Sequence, residues 1–199
     1  MCIPITLVFE DDLSRVCMRK ILSLFGKKYL ISGEYSGGGF GYIKRNIKGF
    51  CLASQGSPYF ILTDLDKYQC PLDLIHDWLN IPIDRNCFFR IAVKEVEAWL
   101  LADKQGVSEY LGIPESVLPR VPEQDQDPKE VLMRIVRRSR KRRIKDDVLP
   151  INENAKIGPN YNGRLSEFVR DYWCVDRAMD NSTSLSRAYV RLRDFEYHT

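Results

Sequence analysis

Four short stretches of the chain are apolar, rich in β-branched or aromatic residues, and stop abruptly at polar ones. They are residues 3–9 (IPITLVF), 29–35, 59–63 (YFILT) and 87–93 (CFFRIAV). Apolar runs of this length with little alternation mark strands buried on both faces of a parallel sheet. Residues 29–35 fit that pattern least well. Between the runs the apolar period changes from strand-like to helical. Leu13, Val16, Cys17, Leu24 and Phe25 recur at helical spacing after Asp12, a plausible N-cap, and up to Gly26, a stop residue. Tyr42, Ile43, Ile47, Phe50 and Cys51 pattern a second helix, and Pro71 opens a third through Leu72, Ile75, Trp78 and Leu79. Alternation of strand and helix predicts an α/β fold: a Rossmann-like, mainly parallel four-stranded sheet flanked by helices. After residue 104 the periodicity is helical only, so a helical C-terminal extension is expected over 105–199, beside a core of 1–104.

Within that extension Asp127 and Pro128 give an N-cap followed by an N1 proline, predicting one helix over about 128–145. Leu165, Phe168, Val169 and Trp173, then Leu185, Ala188, Tyr189 and Leu192, pattern two final helices, with Ser182 or Ser184 capping the second. Helical spacing also makes Trp99, Leu100 and Leu101 the buried side of a helix from Glu97 to Asp103, with Trp99 a core residue.

The polar residues that end the strands matter more than the strands themselves. The first run meets Glu10, Asp11 and Asp12, the third meets Asp64 and Asp66, and the fourth meets Glu95 and Glu97. A lone D-x-D reads equally well as a solvated turn. Carboxylates delivered at three strand ends are another matter, because the carboxyl ends of parallel strands form the ligand crevice of an open sheet. Carboxylates held close repel one another and favour a cation or a shared proton, and magnesium suits oxygen-only ligands. Glu95 and Glu97 cannot be told apart in sequence, since their facing depends on where strand becomes helix.

Composition narrows the chemistry. With 199 residues, 44% apolar and 29% charged, the chain can bury a sizeable core. Its six cysteines are scattered without C-x-x-C spacing and read as reduced core residues of a cytoplasmic protein, and with only His76 and His198 a zinc site is not expected. No apolar run approaches the roughly 18 residues of a membrane span, so no membrane association is expected. The net charge of +3 hides an uneven distribution: residues 134–145 read RIVRRSRKRRIK, eight of twelve basic and none acidic. Acids usually intersperse a solvated charged face, so this run points to an anionic partner, nucleic acid before membrane because the apolar stripe is needed for the core. Arg137, Arg138, Arg140, Lys141, Arg142 and Arg143 are the expected contacts, with Lys94. The glycine loop SGGGFGYIKR lacks the G-K-[ST] of a P-loop and follows the second strand, so it reads as a flexible connection, with a phosphodiester-contacting loop as the alternative.

These residues resemble the Toprim arrangement shared by topoisomerases, primases and overcoming-lysogenization-defect nucleases: a glutamate after strand one, D-x-D after strand three, a further glutamate after strand four. VFEDDLS, LTDLD, FRIAVKEVEAWLLAD, DPKEVL and GPNYNGRLSEFV are more closely similar to a bacterial Toprim-like family of unassigned activity, often encoded beside an ABC-type or AAA-type ATPase in defence-like gene pairs. The resemblance covers nearly the whole chain, and KEVEAWLLAD is its most specific part. It implies a Mg2+ (or Mn2+) site with Glu10 as general acid/base or ligand and Asp64 and Asp66 as ligands. Glu95 or Glu97 completes the cluster, with Glu97 counted among the ligands. Toprim motifs commonly carry small residues near the first glutamate, whereas Asp11 and Asp12 follow it here.

The expected function is metal-dependent phosphodiester hydrolysis of DNA or tRNA-like RNA, as the effector of a defence-type system with a partner ATPase. The alternatives are a non-catalytic subunit binding nucleic acid or the ATPase, and a phosphotransferase or nucleotidyltransferase using the same carboxylates.

Overall fold

The structure, a computed structural model, describes residues 2–152 and 154–197; His198 lies outside them. The chain forms two compact units, Met1–Val93 with Ser186–Thr199, and Lys94–Leu185. The division falls earlier than the expected boundary after residue 104, and the last stretch of chain returns to the first unit.

The first unit is built on four parallel strands, β1 (Ile3–Val8), β2 (Tyr29–Tyr35), β3 (Tyr59–Asp64) and β4 (Cys87–Ala92), in the order β2-β1-β3-β4. Three helices alternate with them: α1 (Asp12–Ser23), α2 (Phe40–Ala53) and α3 (Pro71–Trp78). This is the α/β, Rossmann-like parallel sheet that the apolar pattern predicts. β1 and β3 are the inner strands, which is why their sequences are nearly continuously apolar. Val8 and Ile61 join Ile43 and Ile47 of α2 and Leu74 and Trp78 of α3 on one face, while Leu7, Phe60 and Leu62 alternate onto the other and are fully buried. Each such side chain stabilises the fold by roughly 1.5–3 kcal/mol. β2 is an edge strand with Leu30 at 61% exposure, and Ser32 bulges out where the register shifts between Ile5 and Thr6.

Several local expectations need correction. Asp11, not Asp12, caps α1: its backbone is extended and its carboxylate accepts the Ser14 N–H at 2.8 Å. The helix also ends at Ser23, leaving Leu24 exposed, and Gly26 takes φ 58° in the turn beyond. Leu72 of α3 is exposed, and Leu74 fills the core position instead. The last stretch of chain closes the unit, with Tyr29 donating its hydroxyl to the Leu192 carbonyl at 2.6 Å and Phe195 meeting the Phe88 ring edge-on at 4.7 Å.

The second unit is helical: α4 (Val96–Ala102), α5 (Lys104–Leu111), α6 (Pro128–Val136), α7 (Arg142–Val148), α8 (Tyr161–Asp171) and α9 (Val175–Met179), with short 3-10 turns at Glu115–Val117 and Pro122–Gln124. A last helix, α10 (Thr183–Arg193), runs across the boundary into the first unit. Every residue of α4 is buried, against α6, α9 and the 122–124 turn. Trp99 is core, as expected, with its indole N–H on the Ser184 hydroxyl at 2.7 Å.

Asp103 follows α4 and caps α5, so the helix expected from Glu97 to Asp103 is displaced by one residue. The single helix expected over 128–145 is two, α6 and α7. Ser139 explains the break: it is buried, donates its hydroxyl to the Leu111 carbonyl at 2.5 Å and accepts the Lys141 N–H at 3.1 Å, local bonds that compete with a continuing helix. Ser182 caps α10, accepting the Leu185 N–H at 3.2 Å. No described helix is long and apolar enough to cross a membrane.

Candidate active site

In a 2-1-3-4 sheet the chain winds to one side of β1 and then to the other, so the topological switch point lies between the carboxyl ends of β1 and β3. Parallel register pairs Val8 with Ile61, so β3 runs on beyond the end of β1. Glu10, two residues past β1, therefore arrives beside the last residues of β3. Its Oε1 accepts the Thr63 hydroxyl and, at 3.1 Å, the Asp64 backbone N–H.

These contacts separate the three consecutive acids. Asp11 uses its carboxylate as a helix cap, Asp12 starts the helix and is exposed, and Glu10 alone is turned to the switch point. Burial pushes the Glu10 carboxyl above its ordinary value; the bonds from Thr63 and Asp64 pull it back, and the charges of Asp66 and Asp11 push it up again. An acid in that position gains from a cation or from carrying a proton.

Asp64 is half-buried at the end of β3 and Asp66 is exposed. Leu65 between them is 1% exposed, and its N–H is fixed on the Ala92 carbonyl of β4 at 2.9 Å. The segment then turns, with the Tyr68 N–H on the Leu65 carbonyl at 3.1 Å. Asp66 sits within that turn at φ 48°, the only described non-glycine residue with positive φ. The left-handed conformation costs an ordinary residue about 1–2 kcal/mol, and a glycine would avoid it. Tyr68 anchors the turn: its hydroxyl donates to Asp77 and accepts the Trp78 indole N–H at 3.2 Å, while Lys44 holds Asp77 at 2.6 Å. Among the described residues no group of three or more His, Cys, Asp or Glu side chains is drawn together closely enough to hold a metal ion as it stands.

The second unit holds Glu95 and Glu97, engaged by partners of their own. Glu97 is 3% exposed, accepts the Tyr161 hydroxyl at 2.8 Å and lies 3.5 Å from the Lys129 ammonium. Glu95 accepts the Lys129 backbone N–H at 2.9 Å, at the start of α6, with the ammonium 3.9 Å away. Burial and then the Glu97 charge raise the Glu95 carboxyl, against Lys129. Thr63, Lys129 and Tyr161 are the site residues that sequence reasoning passed over. The signals were present: a hydroxyl closing an apolar run, the lysine of D-P-K-E and the tyrosine of P-N-Y-N.

Of the expected nucleic-acid contacts, Lys94 is half-buried, whereas Arg137, Arg138, Arg140 and Lys141, on the segment joining α6 to α7, and Arg142 and Arg143, in the first turn of α7, are all exposed. Arg142 is turned to Asp146 at 3.6 Å, and Lys141 donates to the Glu109 carbonyl at 3.1 Å. Comparisons with protein-family models, curated proteins and solved structures gave no match for this chain.

Proposed function

We propose that the chain is a Mg2+- or Mn2+-dependent nuclease of Toprim-like type, acting on phosphodiester bonds of nucleic acid and partnered by an ABC-type or AAA-type ATPase in a defence-type system. One observation carries the reading: Glu10 and Asp64 are linked at the carboxyl ends of the two inner parallel strands, with Asp66 two residues on, at the switch point where open α/β sheets bind ligands. The donor set is oxygen only, which suits a hard divalent cation.

Glu10, Asp64 and Asp66 would hold the ion, which supplies charge neutralisation at the phosphate and a more acidic bound water. Thr63 fixes the Glu10 carboxylate, and the Tyr68 anchor fixes the turn that carries Asp66. The carboxylates proposed to hold the ion all belong to the first unit, whereas Glu95 and Glu97 lie in the second, where Lys129 engages both and Tyr161 engages Glu97 as well. The exposed arginines hold the backbone, so affinity falls steeply with salt and shows little sequence preference.

The test is cleavage of end-labelled DNA and of folded RNA with and without Mg2+ or Mn2+, using wild type and the Asp64→Asn and Asp66→Asn variants checked for folding by circular dichroism. The expected result is divalent-dependent cleavage lost by about 100-fold or more in the variants, the scale of removing a group that acts in the transition state. Equal cleavage by wild type and both folded variants rejects the proposal. The engagement of Glu95 and Glu97 with Lys129 favours a second reading, a non-catalytic binding subunit. It is distinguished by full function of the partner complex after alanine replacement at Glu10, Asp64 and Asp66, with loss after neutralising the arginines.

A further inference from the structure

Two hollows adjoin on the second unit beside the basic segment. The first, about 470 Å3, has an apolar floor of Ile113, Pro114 and Val117, with Arg138 and Arg140 lining it. The second, about 350 Å3, is lined by the same Val117, by Val131 and Ile135, and by Arg120 and Arg134. Both volumes fall within the ~300–1,000 Å3 of small-ligand sites. Each hollow thus combines one kind of floor with one pair of guanidinium groups, and Val117 is common to the two.

The arginines of the first hollow are presented by a braced turn. Ser139, between Arg138 and Arg140, is buried and tied to the Leu111 carbonyl at 2.5 Å. Lys141 is held on the Glu109 carbonyl at 3.1 Å, with its ammonium 5.9 Å from the centre of the Tyr110 ring. Gly112, at φ 66°, ends α5 so that Ile113 and Pro114 can form the floor. Bracing the chain on either side of Arg138 and Arg140 limits the backbone freedom that the turn loses when an anion binds.

We propose that the two hollows form a track for an unpaired nucleic-acid strand, each seating one base on its apolar floor while its arginines hold the flanking phosphate. Charge selects an anionic polymer, since no acid occurs in residues 134–145. The floors select among such polymers. A duplex presents phosphates but keeps its base faces stacked inside, so apolar floors add nothing to its binding, whereas a single strand offers a π-face at every nucleotide. Glu109 and Asp125 also line the hollows, and carboxylates accept hydrogen bonds from the amino groups that unpaired bases expose. The proposal rests on the nuclease reading and narrows its substrate to unpaired segments: single strands, loops or frayed ends.

The test is fluorescence anisotropy in EDTA, so that binding is read without cleavage. The probes are a mixed-sequence single-stranded oligonucleotide, as DNA and as RNA, and the blunt duplex of the same sequence. Wild type is expected to bind the single strand at least about tenfold more tightly than the duplex, the scale of burying about 55 Å2 of apolar surface on one floor. Pro114→Glu, at an exposed floor position, and Val117→Asp are each expected to lower single-strand affinity by more than duplex affinity and so remove that preference. Arg138→Ala with Arg140→Ala is expected to reduce the salt slope for the single strand by about 1.4, from two lost phosphate contacts. Equal affinity for the single strand and the duplex overturns the proposal, as does a preference that survives Pro114→Glu, or equal binding of an acidic peptide. Single-strand preference without Mg2+-dependent cleavage sinks the nuclease reading and leaves the track. Duplex cleavage without the preference does the reverse.

Discussion

Replacing Glu10 by Gln separates a metal site from a structural carboxylate. The amide oxygen of Gln can accept the same two bonds that Glu10 Oε1 takes from the Thr63 hydroxyl and the Asp64 N–H, so the substitution removes charge and little else. Burial, then Asp66 and Asp11, raise the Glu10 carboxyl in the folded protein. A raised carboxyl contributes stability that is fully present below its unfolded value and lost as pH rises through the folded one. Without metal, the Gln variant is therefore expected to equal wild type near pH 4 and to exceed it slightly at pH 7.5.

Magnesium reverses the order. An ion bound only by the folded state stabilises by RT ln(1 + [Mg2+]/Kd), about 1.4 kcal/mol at a concentration tenfold above Kd. For a chain of this length 1 kcal/mol is worth about 2–4 °C in Tm, so wild type is expected to gain about 3–6 °C and the Gln variant less than half of that. Calorimetry at matched ionic strength is the assay, since it resolves separate transitions where the two units melt apart. A wild-type shift no larger than that given by KCl, or equal Mg2+ shifts in the two proteins, refutes the metal site.

Two further outcomes test the internal framework of each unit, the second unit first. Asp103 is fully buried and accepts the Arg177 guanidinium at 2.6 and 2.9 Å, the Cys174 N–H at 2.7 Å and the Gly106 N–H at 3.1 Å. Asp103→Ala is expected to destabilise by about 2–4 kcal/mol, below the full cost of breaking a buried pair because Arg177 can rehydrate, with Asn milder, as read by urea unfolding monitored through Trp99 and Trp173. An unchanged midpoint contradicts that role. Glu34 is held at about 2, below the usual 4.5, by hydrogen bonds from Arg15 and Arg19. Its contribution, about 1–2 kcal/mol after allowing for the exposure of both arginines, is present above pH 4.5 and lost as pH falls toward 2. The stability gap between wild type and Glu34→Gln should close over that interval, and a constant gap rejects the linkage.

The sheet was legible because its inner strands are buried on both faces, which leaves the apolar run Phe60–Leu62 and the run Ile5–Val8, broken only by the buried Thr6. The acids at strand ends were legible for the same reason, as the first polar residues after such runs. The choice among Glu10, Asp11 and Asp12 was not, because a cap and a site carboxylate are the same residue type and differ only in backbone angle and partner. The break at Ser139 was hidden as well: a serine within a run of arginines gives no sign that it is buried against Leu111. The return of residues 186–199 to the first unit depends on contacts such as Tyr29 with Leu192, which helical spacing cannot show.

KEVEAW, DPKE and PNYN carry much of the resemblance, and the structure gives all three a common place. Lys129 of the second and Tyr161 of the third meet on Glu97 of the first, from positions 32 and 64 residues further along the chain. A buried carboxylate is costly unless paired and hydrogen-bonded, and removing either partner leaves that cost exposed, so these residues are bound to one another as a set. A motif dense in acids can therefore mark a buried ion network as readily as a catalytic centre. Glu10 differs in kind: burial, then the charges of Asp66 and Asp11, raise its carboxyl, and the groups that oppose them are the neutral donors of Thr63 and Asp64. Glu97 has a lysine already. That contrast is the physical reason to look for a metal at the ends of β1 and β3, and to read Glu97 as part of the framework of its own unit.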